Sequence, residues 1–458
     1  MRIILVLAIC LIACTKQNPN LCCIDEADCA NVGLDDVKGC GDGLLCRGNQ
    51  CIAEVCESSA ECDADAPYCV APPDGRCQQD CTSDEECPGF GEDPTQRFCE
   101  AGSCVECRDD NDCDGVGPRC NSGACVACTR NEDCASGVCV EDGSCADPTD
   151  VAYVAPDGAA TGDCSEASPC SKIEFALSVP ARRFIVIESG TYVRDQTLTL
   201  NGDRRLIGRG PTLPIISRTT QGPIANATSG VVSLEGLEIS GATGTTSPNF
   251  GHGLACAGGA EVTIVDSVFR QNARNGVDGQ ICTVRAFRSK FIENNGGLSL
   301  VNAQATIDAC EFSGNSFKGA GFDAGLYVIT NSFFTRNAAR GLDLFASTSG
   351  SHIEFNTIVD NGNGFECQAT PDLVAANNLV ARNAQETTGN GSCTFAGSII
   401  ADTDIAALKF VSPDVEPFDY HIQEGSIAID AAGTTVVDHD FDGDPRPSSA
   451  ADVGADEI

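Results

Sequence analysis

Ser267-Val268-Phe269-Arg270-Gln271-Asn272 recurs as Ser289-Lys290-Phe291-Ile292-Glu293-Asn294, then as Cys310-Glu311-Phe312-Ser313-Gly314-Asn315 and Ser332-Phe333-Phe334-Thr335-Arg336-Asn337. Weaker copies end at Asn361 and Asn383, so the Asn-to-Asn steps are 22, 21, 22, 24 and 22 residues. After most of these asparagines comes a glycine, an apolar residue and a third residue: Gly276-Val277-Asp278, Gly297-Leu298-Ser299, Gly321-Phe322-Asp323, Gly341-Leu342-Asp343 and Gly364-Phe365-Glu366. Short alternating segments broken by Asn and Gly read as short strands with tight corners. A near-constant period makes each segment one coil, stacked on the last at about 4.8 Å. Phe269, Phe291, Phe312 and Phe334 then form an internal stack. Asn272 to Asn383 form a ladder at a corner, where Asn tolerates left-handed backbone angles and its amide bonds to adjacent coils.

This pattern closely resembles the right-handed parallel β-helix of pectin-lyase-like proteins. The expected fold class is therefore mainly β, with about 22 residues per coil. The repeats are clear from about 230 to 400, and alternating apolar stretches carry the match back to about 184. Ser171-Lys172-Ile173-Glu174 reads as a capping box that opens an amphipathic helix, which Pro180 stops. The resemblance implies that this N-terminal helical cap covers the first coil and its open strand edges. Near the other end, Asp440-Phe441-Asp442-Gly443-Asp444-Pro445-Arg446-Pro447 and Asp452-Val453-Gly454-Ala455-Asp456-Glu457 resemble the closing motif of the choice-of-anchor β-helix group. The expected boundaries are 148–425 for the β-helix and 426–458 for the closing segment.

The 458 residues carry 66 acidic and 28 basic side chains, a formal net charge of −38. Such a chain repels phosphate backbones, which argues against nucleic-acid partners. Its 31 cysteines indicate an exported, disulfide-rich protein. Arg2 precedes an apolar run from Ile3 to Ala13, too short to span a bilayer, which needs about 20 residues. It reads as a signal peptide over 1–13. Leu11-Ile12-Ala13-Cys14 resembles the lipobox of bacterial lipoproteins. That resemblance implies that Cys14 carries the lipid, that 14–21 form a polar tether, and that the protein attaches to the outer membrane or cell surface.

Residues 22–147 hold 22 cysteines in repeating units. Cys81-x5-Cys87-x11-Cys99-x4-Cys104 is followed by Cys107-x5-Cys113-x6-Cys120-x4-Cys125 and Cys128-x5-Cys134-x4-Cys139-x5-Cys145. An earlier unit begins at Cys56, and an irregular first unit at Cys23. Units this small cannot fold on apolar burial, so crosslinks replace a core. The spacing resembles small dickkopf-type cysteine-rich modules, and the expectation is a disulfide-rich, multi-module stalk. Zinc knuckles would need paired C-x2-C spacings, which these are not. The segment's 29 acidic and seven basic residues suit either weak calcium binding or a solvated stalk.

No complete catalytic set assembles from the repeats. Gly251-His252-Gly253 and Arg288-Ser289-Lys290 resemble two motifs of the polygalacturonase family, but the aspartate motifs that chemistry requires are missing upstream. His252 therefore reads as a polar corner residue. Asp323, Asp343 and Glu366 share one position in three successive coils by the Gly-apolar-x alignment, with Asp278 two coils earlier. Carboxylates about 5 Å apart raise one another's pKa, recruit a cation such as calcium, or serve hydrolysis. They are the catalytic candidates. Asp438, Asp440 and Asp442 mimic the start of a calcium-binding loop, although position 449 is Ser449 where a bidentate Glu belongs. The leading reading is non-catalytic surface display, binding a polysaccharide or a cell-surface component. The rival is a polysaccharide lyase or glycoside hydrolase of the envelope.

The remaining cysteines also give expectations. Cys164 and Cys170 bracket the entrance to the coil domain and should pair. Cys256 and Cys282 lie 26 positions apart, as do Cys367 and Cys393, and one coil step brings each pair within bridging range. Cys310, in the inward Ser/Asn column beside Phe312, is left as a free buried thiol.

Overall fold

The computed structural model describes residues 81–84, 87, 97–113, 117–179, 181–368, 373–389, 393–401 and 405–458. It also describes the backbone of four earlier strands, Leu44–Arg47, Gln50–Ala53, Tyr68–Val70 and Arg76–Gln78. The lipobox with Cys14 and the tether lie outside the described residues. The chain divides into two compact units, Met1–Ala146 and Asp147–Ile458.

In the first unit, each described module crosslinks its first cysteine to its third and its second to its fourth. The pairs are Cys81–Cys99 and Cys87–Cys104, Cys107–Cys120 and Cys113–Cys125, and Cys128–Cys139 and Cys134–Cys145. The third and fourth cysteines face each other across a hairpin, as in Cys99–Cys104 and Cys120–Cys125. The two-residue turns Ala101-Gly102 and Ser122-Gly123 have positive φ at both positions, the backbone that matches strand twist. Three residues after each first cysteine, Asp84, Asp110 and Asn131 accept the backbone N–H of the third cysteine. The acidic residues thus build the modules themselves. The amide of Cys99, with help from Arg108, holds the Asp84 carboxyl below its ordinary range against the effect of burial.

The second unit is a parallel β-helix of about 10 turns. Three- and four-residue strands, among them Val268–Arg270, Lys290–Ile292, Glu311–Ser313 and Phe333–Thr335, stack into a ten-stranded parallel sheet. The rest of each coil pairs in a second parallel ladder. There two strands per coil fuse into the 13-residue strands Gly296–Asp308 and Lys318–Thr330. The apolar half of each alternation points inward, so the core runs along the axis as one continuous cluster. Phe269, Phe291, Phe312 and Phe334 stack within it, with centroids 5.4, 4.8 and 4.7 Å apart.

The asparagine ladder is buried and closed. Asn272, Asn315, Asn337 and Asn361 each donate Nδ2 to the Oδ1 of the next ladder asparagine, at 2.8–2.9 Å. Each also donates to the carbonyl of the central residue of a short strand in the preceding coil, as Asn337 does to Phe312 at 3.0 Å. The left-handed corner falls one residue earlier than the sequence suggests. Gln271, Glu293, Arg336, Asp360 and Arg382 have φ between 53° and 59°, and the Asn that follows keeps ordinary angles. The strained residue turns the chain so that the next side chain points inward.

Two further details differ at the entrance. The cap helix runs Ile173–Ser178 with Lys172 at its N-cap and no side-chain cap. Ser171 instead donates its hydroxyl to the Ala159 carbonyl, so the capping box does not form. Ile173 and Ala176 still pack into the core beside Ile185 and Val154, which closes the first coil. At the far end, Leu408, Phe410, Tyr420, Ala428, Val453 and Ala455 form a second cluster with Val359 and Leu379, so the closing segment packs on the ten-stranded sheet.

Candidate functional site on the outer coil face

The outward positions of the long ladder carry the chemistry. Strand register places Asp278, Ser299, Gly321, Asp343 and Glu366 in one row, and Asn275, Gly296, Lys318, Arg340 and Asn363 in the row beside it. Asp343 and Glu366 are therefore neighbours on adjacent rungs, as the sequence alignment expects. Asp323 is not their neighbour: Gly319-Ala320-Gly321, not Gly321-Phe322-Asp323, is the coil equivalent. The coil offers two glycines in the right setting. The one four residues after the ladder Asn315 is used, because there a Cβ would lie 2.5 Å from the Gly341 carbonyl oxygen of the next coil.

Gly321 fills its row position without a side chain, and Lys318 lies across the space, where a Cβ on Gly321 would collide with its Nζ. Lys318 Nζ is 3.9 Å from Asp343 Oδ2, and Arg340 is 3.7 Å from the same oxygen. Arg340 also pairs closely with Glu366, whose other oxygen takes the Gln368 amide. The carboxylates are well covered, with side-chain exposures of 16% for Asp343 and 9% for Glu366. Burial pushes the Asp343 carboxyl upward, against the pull of Lys318 and Arg340. Burial likewise lowers Lys318, with Asp343 opposing. The formal charges of Lys318, Arg340, Asp343 and Glu366 sum to zero. Asp278 and Asp323 lie within electrostatic reach of Lys318 and leave the wider patch negative.

Beside this cluster the register slips. Phe322 pairs with Leu344, but Asp323 pairs with Ala346, so Phe345 is the extra residue of a β-bulge. Phe345 is 50% exposed, two residues from Asp343 on the same face. Phe317, also exposed, carries the Arg340 guanidinium over its ring at 5.4 Å. Neither aromatic was among the residues singled out from sequence. The signal was present: the 24-residue step from Asn337 to Asn361 announces two extra residues in this coil.

The other candidates separate. His252 is buried, its Nε2 against the Pro248 carbonyl at 2.7 Å and its Nδ1 accepting the Asn275 amide at 3.3 Å, a corner residue in its contacts. Lys290 lies on the ten-stranded sheet, away from the ladder that His252 precedes. Asp438, Asp440 and Asp442 do not converge on one point. Asp440 is buried and spends both oxygens on the amides of Asp442, Asp444 and Glu457, while Asp438 is exposed and bonded to His439. The structure joins Cys164 to Cys170, Cys256 to Cys282 and Cys367 to Cys393, and leaves Cys310 as a buried free thiol.

Residues 252–412 match the family described as "Right handed beta helix region". Among solved structures, pectate lyase Pel9A aligns with 67% of this chain and 96% of its own, at 16% identity and a TM-score of 0.48. A rhamnogalacturonan lyase aligns with 58% of this chain and 91% of its own, at 13% identity and a TM-score of 0.40. The periplasmic alginate epimerase AlgG aligns with 52% of this chain and 69% of its own, at 11% identity and a TM-score of 0.31. No curated protein matches the sequence. These likenesses concern the coil architecture and assign no chemistry to the outer face.

Proposed function

We propose that the protein is an exported, lipid-anchored display protein whose β-helix binds a neutral polysaccharide without cleaving it. The carrying observation is Phe345, turned out by its bulge beside a charge-compensated cluster of Arg340, Asp343 and Glu366. An exposed ring offers an apolar platform to a sugar ring, and planar carboxylate and guanidinium groups fit vicinal hydroxyls. Lyase chemistry acts on polyuronates, and the negative surround of Asp278 and Asp323 opposes such polyanions. The rows extend over several coils, which suits a polymer rather than a small molecule. Anchoring through Cys14 would hold the protein at the membrane surface.

One feature favours glycoside hydrolysis as a second reading: Asp343, raised by burial, stands one rung from the Arg340-held Glu366. Both readings meet one experiment. The purified mature protein, in mild detergent, is placed on an array of neutral and acidic glycans, and the captured glycans are assayed for new reducing ends. Retention of neutral glycans without new reducing ends supports binding. Release of reducing ends that Asp343→Asn abolishes would establish hydrolysis instead, and selective capture of polyuronates would contradict the proposal.

A further inference from the structure

His421 stands on the strand Asp419–Ile422, at the closing end of the coils. Its Nδ1 donates to Asp419 Oδ1 at 2.6 Å, and its backbone N–H reaches the same oxygen at 3.0 Å. Phe333 and Phe441 flank the ring, with centroids 5.1 and 5.9 Å away, so its plane is fixed. With Nδ1 committed to Asp419, Nε2 is the nitrogen left to carry either a proton or an ion. That nitrogen is closed off from solvent and has no hydrogen-bond partner among the described groups, although Asp442 Oδ2 lies 3.0 Å away. Asp456 comes in from the chain end, buried, with Oδ2 fixed by the Ile422 amide at 2.7 Å. One ligand atom from each of His421, Asp442 and Asp456 lies within 4.8 Å of the other two.

Two carboxylates facing one imidazole nitrogen call for positive charge between them, which a proton on Nε2 shared with Asp442 supplies in the metal-free protein and a metal ion supplies in its place. A carboxylate on the far nitrogen is the usual means of orienting a metal-binding histidine, and Asp419 occupies that place. We infer that His421, Asp442 and Asp456 form a binding site for a divalent first-row transition ion of the zinc class. One nitrogen and two carboxylates suit zinc, with water completing the shell, whereas calcium prefers six or more oxygens. The three ligands come from the hairpin strand, the turn that Asp440 builds and the C-terminal tail. A bound ion therefore ties the closing segment to the coils, in the role a disulfide plays at the entrance. Asp442 contributes as the exposed arm of this site and not as part of a calcium loop with Asp438 and Asp440.

The test uses the full mature chain, stripped with a chelator and dialysed, with Zn2+ and Ca2+ titrated separately by calorimetry and thermal unfolding followed in parallel. One Zn2+ per chain is expected, with a rise in Tm and little response to Ca2+. Asp442→Asn, at a side chain 55% exposed and so compatible with folding, should weaken Zn2+ binding at least tenfold. His421→Gln should do the same. His439→Gln removes the nearby histidine that pairs with Asp308 and Asp438, and it should leave the affinity unchanged. Absence of stoichiometric Zn2+, tighter Ca2+ than Zn2+, undiminished binding in Asp442→Asn, or loss in His439→Gln would each overturn the site.

Discussion

Asn337 donates its Nδ2 to Asn361 Oδ1 at 2.9 Å, and Asn361 repeats the gesture toward Asn383 one coil later, also at 2.9 Å. Each amide in the row is both donor and acceptor in a buried setting, so the corner of every coil depends on the next. Removing the Asn337 side chain takes the acceptor from the Asn315 backbone N–H and one bond each from the Phe312 carbonyl and the Asn315 Nδ2, which keeps the Phe291 carbonyl. Asn337→Ala should cost about 3 kcal/mol, the scale of one buried donor left unpaired together with several buried hydrogen bonds lost. Urea unfolding measures this; a loss below about 1 kcal/mol would mean that the ladder is replaceable by water.

The register of the candidate face has its own test in two glycines. A Cβ on Gly319 meets the Gly341 carbonyl oxygen at 2.5 Å, a backbone clash between coils. A Cβ on Gly321 meets only the flexible end of Lys318. Gly319→Ala should therefore destabilise by about 2 kcal/mol or more, and Gly321→Ala by less than about 1 kcal/mol. The reverse order would restore the alignment in which Asp323 joins Asp343 and Glu366.

The coil repeat, the phenylalanine stack and the asparagine ladder were legible because each rests on a local residue repeated at one period. The rows on the outer face were only half legible. Asp343 and Glu366 follow from Gly341 and Gly364, but the coil before them holds two glycines, and only contact between coils selects Gly319. The distance from the ladder asparagine, four residues to Gly276, Gly319 and Gly341 and three to Gly297 and Gly364, would have chosen correctly. His421, Asp442 and Asp456 come from three separate segments, and no spacing rule connects them. Asp440 misleads in the opposite sense: its acidic spacing mimics a metal loop, yet its carboxylate serves backbone amides.

His352 and Glu354 give a pH signature. His352 Nε2 meets Glu354 Oε2 at 2.5 Å, while Glu354 Oε1 takes the Asn377 amide at 2.8 Å. The hydrogen bond to Glu354 raises the imidazole above its ordinary 6.5, with burial opposing. The stabilisation is fully present below the unfolded value and lost as pH rises through the raised folded value. The gap in unfolding stability between the parent and His352→Gln should thus be larger at about pH 6 than at about pH 9. Solvent screening of the half-exposed ring keeps it at about 0.5 kcal/mol. An equal gap at both pH values would show that the pair contributes nothing electrostatic.

Cys310 bears on the interior. Its thiol is wholly buried, and burial pushes it up to about 12. Iodoacetamide at about pH 8 should leave it unlabelled in the folded protein and label it after denaturation without reductant. Cys310→Ser should be tolerated within about 1 kcal/mol, since Ser289 and Ser332 fill the same column and bond to the carbonyls of Phe287 and Thr330. Labelling in the folded state would place Cys310 outside the core.

The most direct measurement concerns Phe345. Equilibrium binding of a captured neutral glycan is compared between the parent protein and Phe345→Ala, at a half-exposed side chain that lies outside the core cluster. A weakening of about tenfold, the scale of losing one aromatic platform of ~1.4 kcal/mol, with no change in Tm, is the expected result. Unchanged affinity in Phe345→Ala would contradict the assignment of this face as the binding surface.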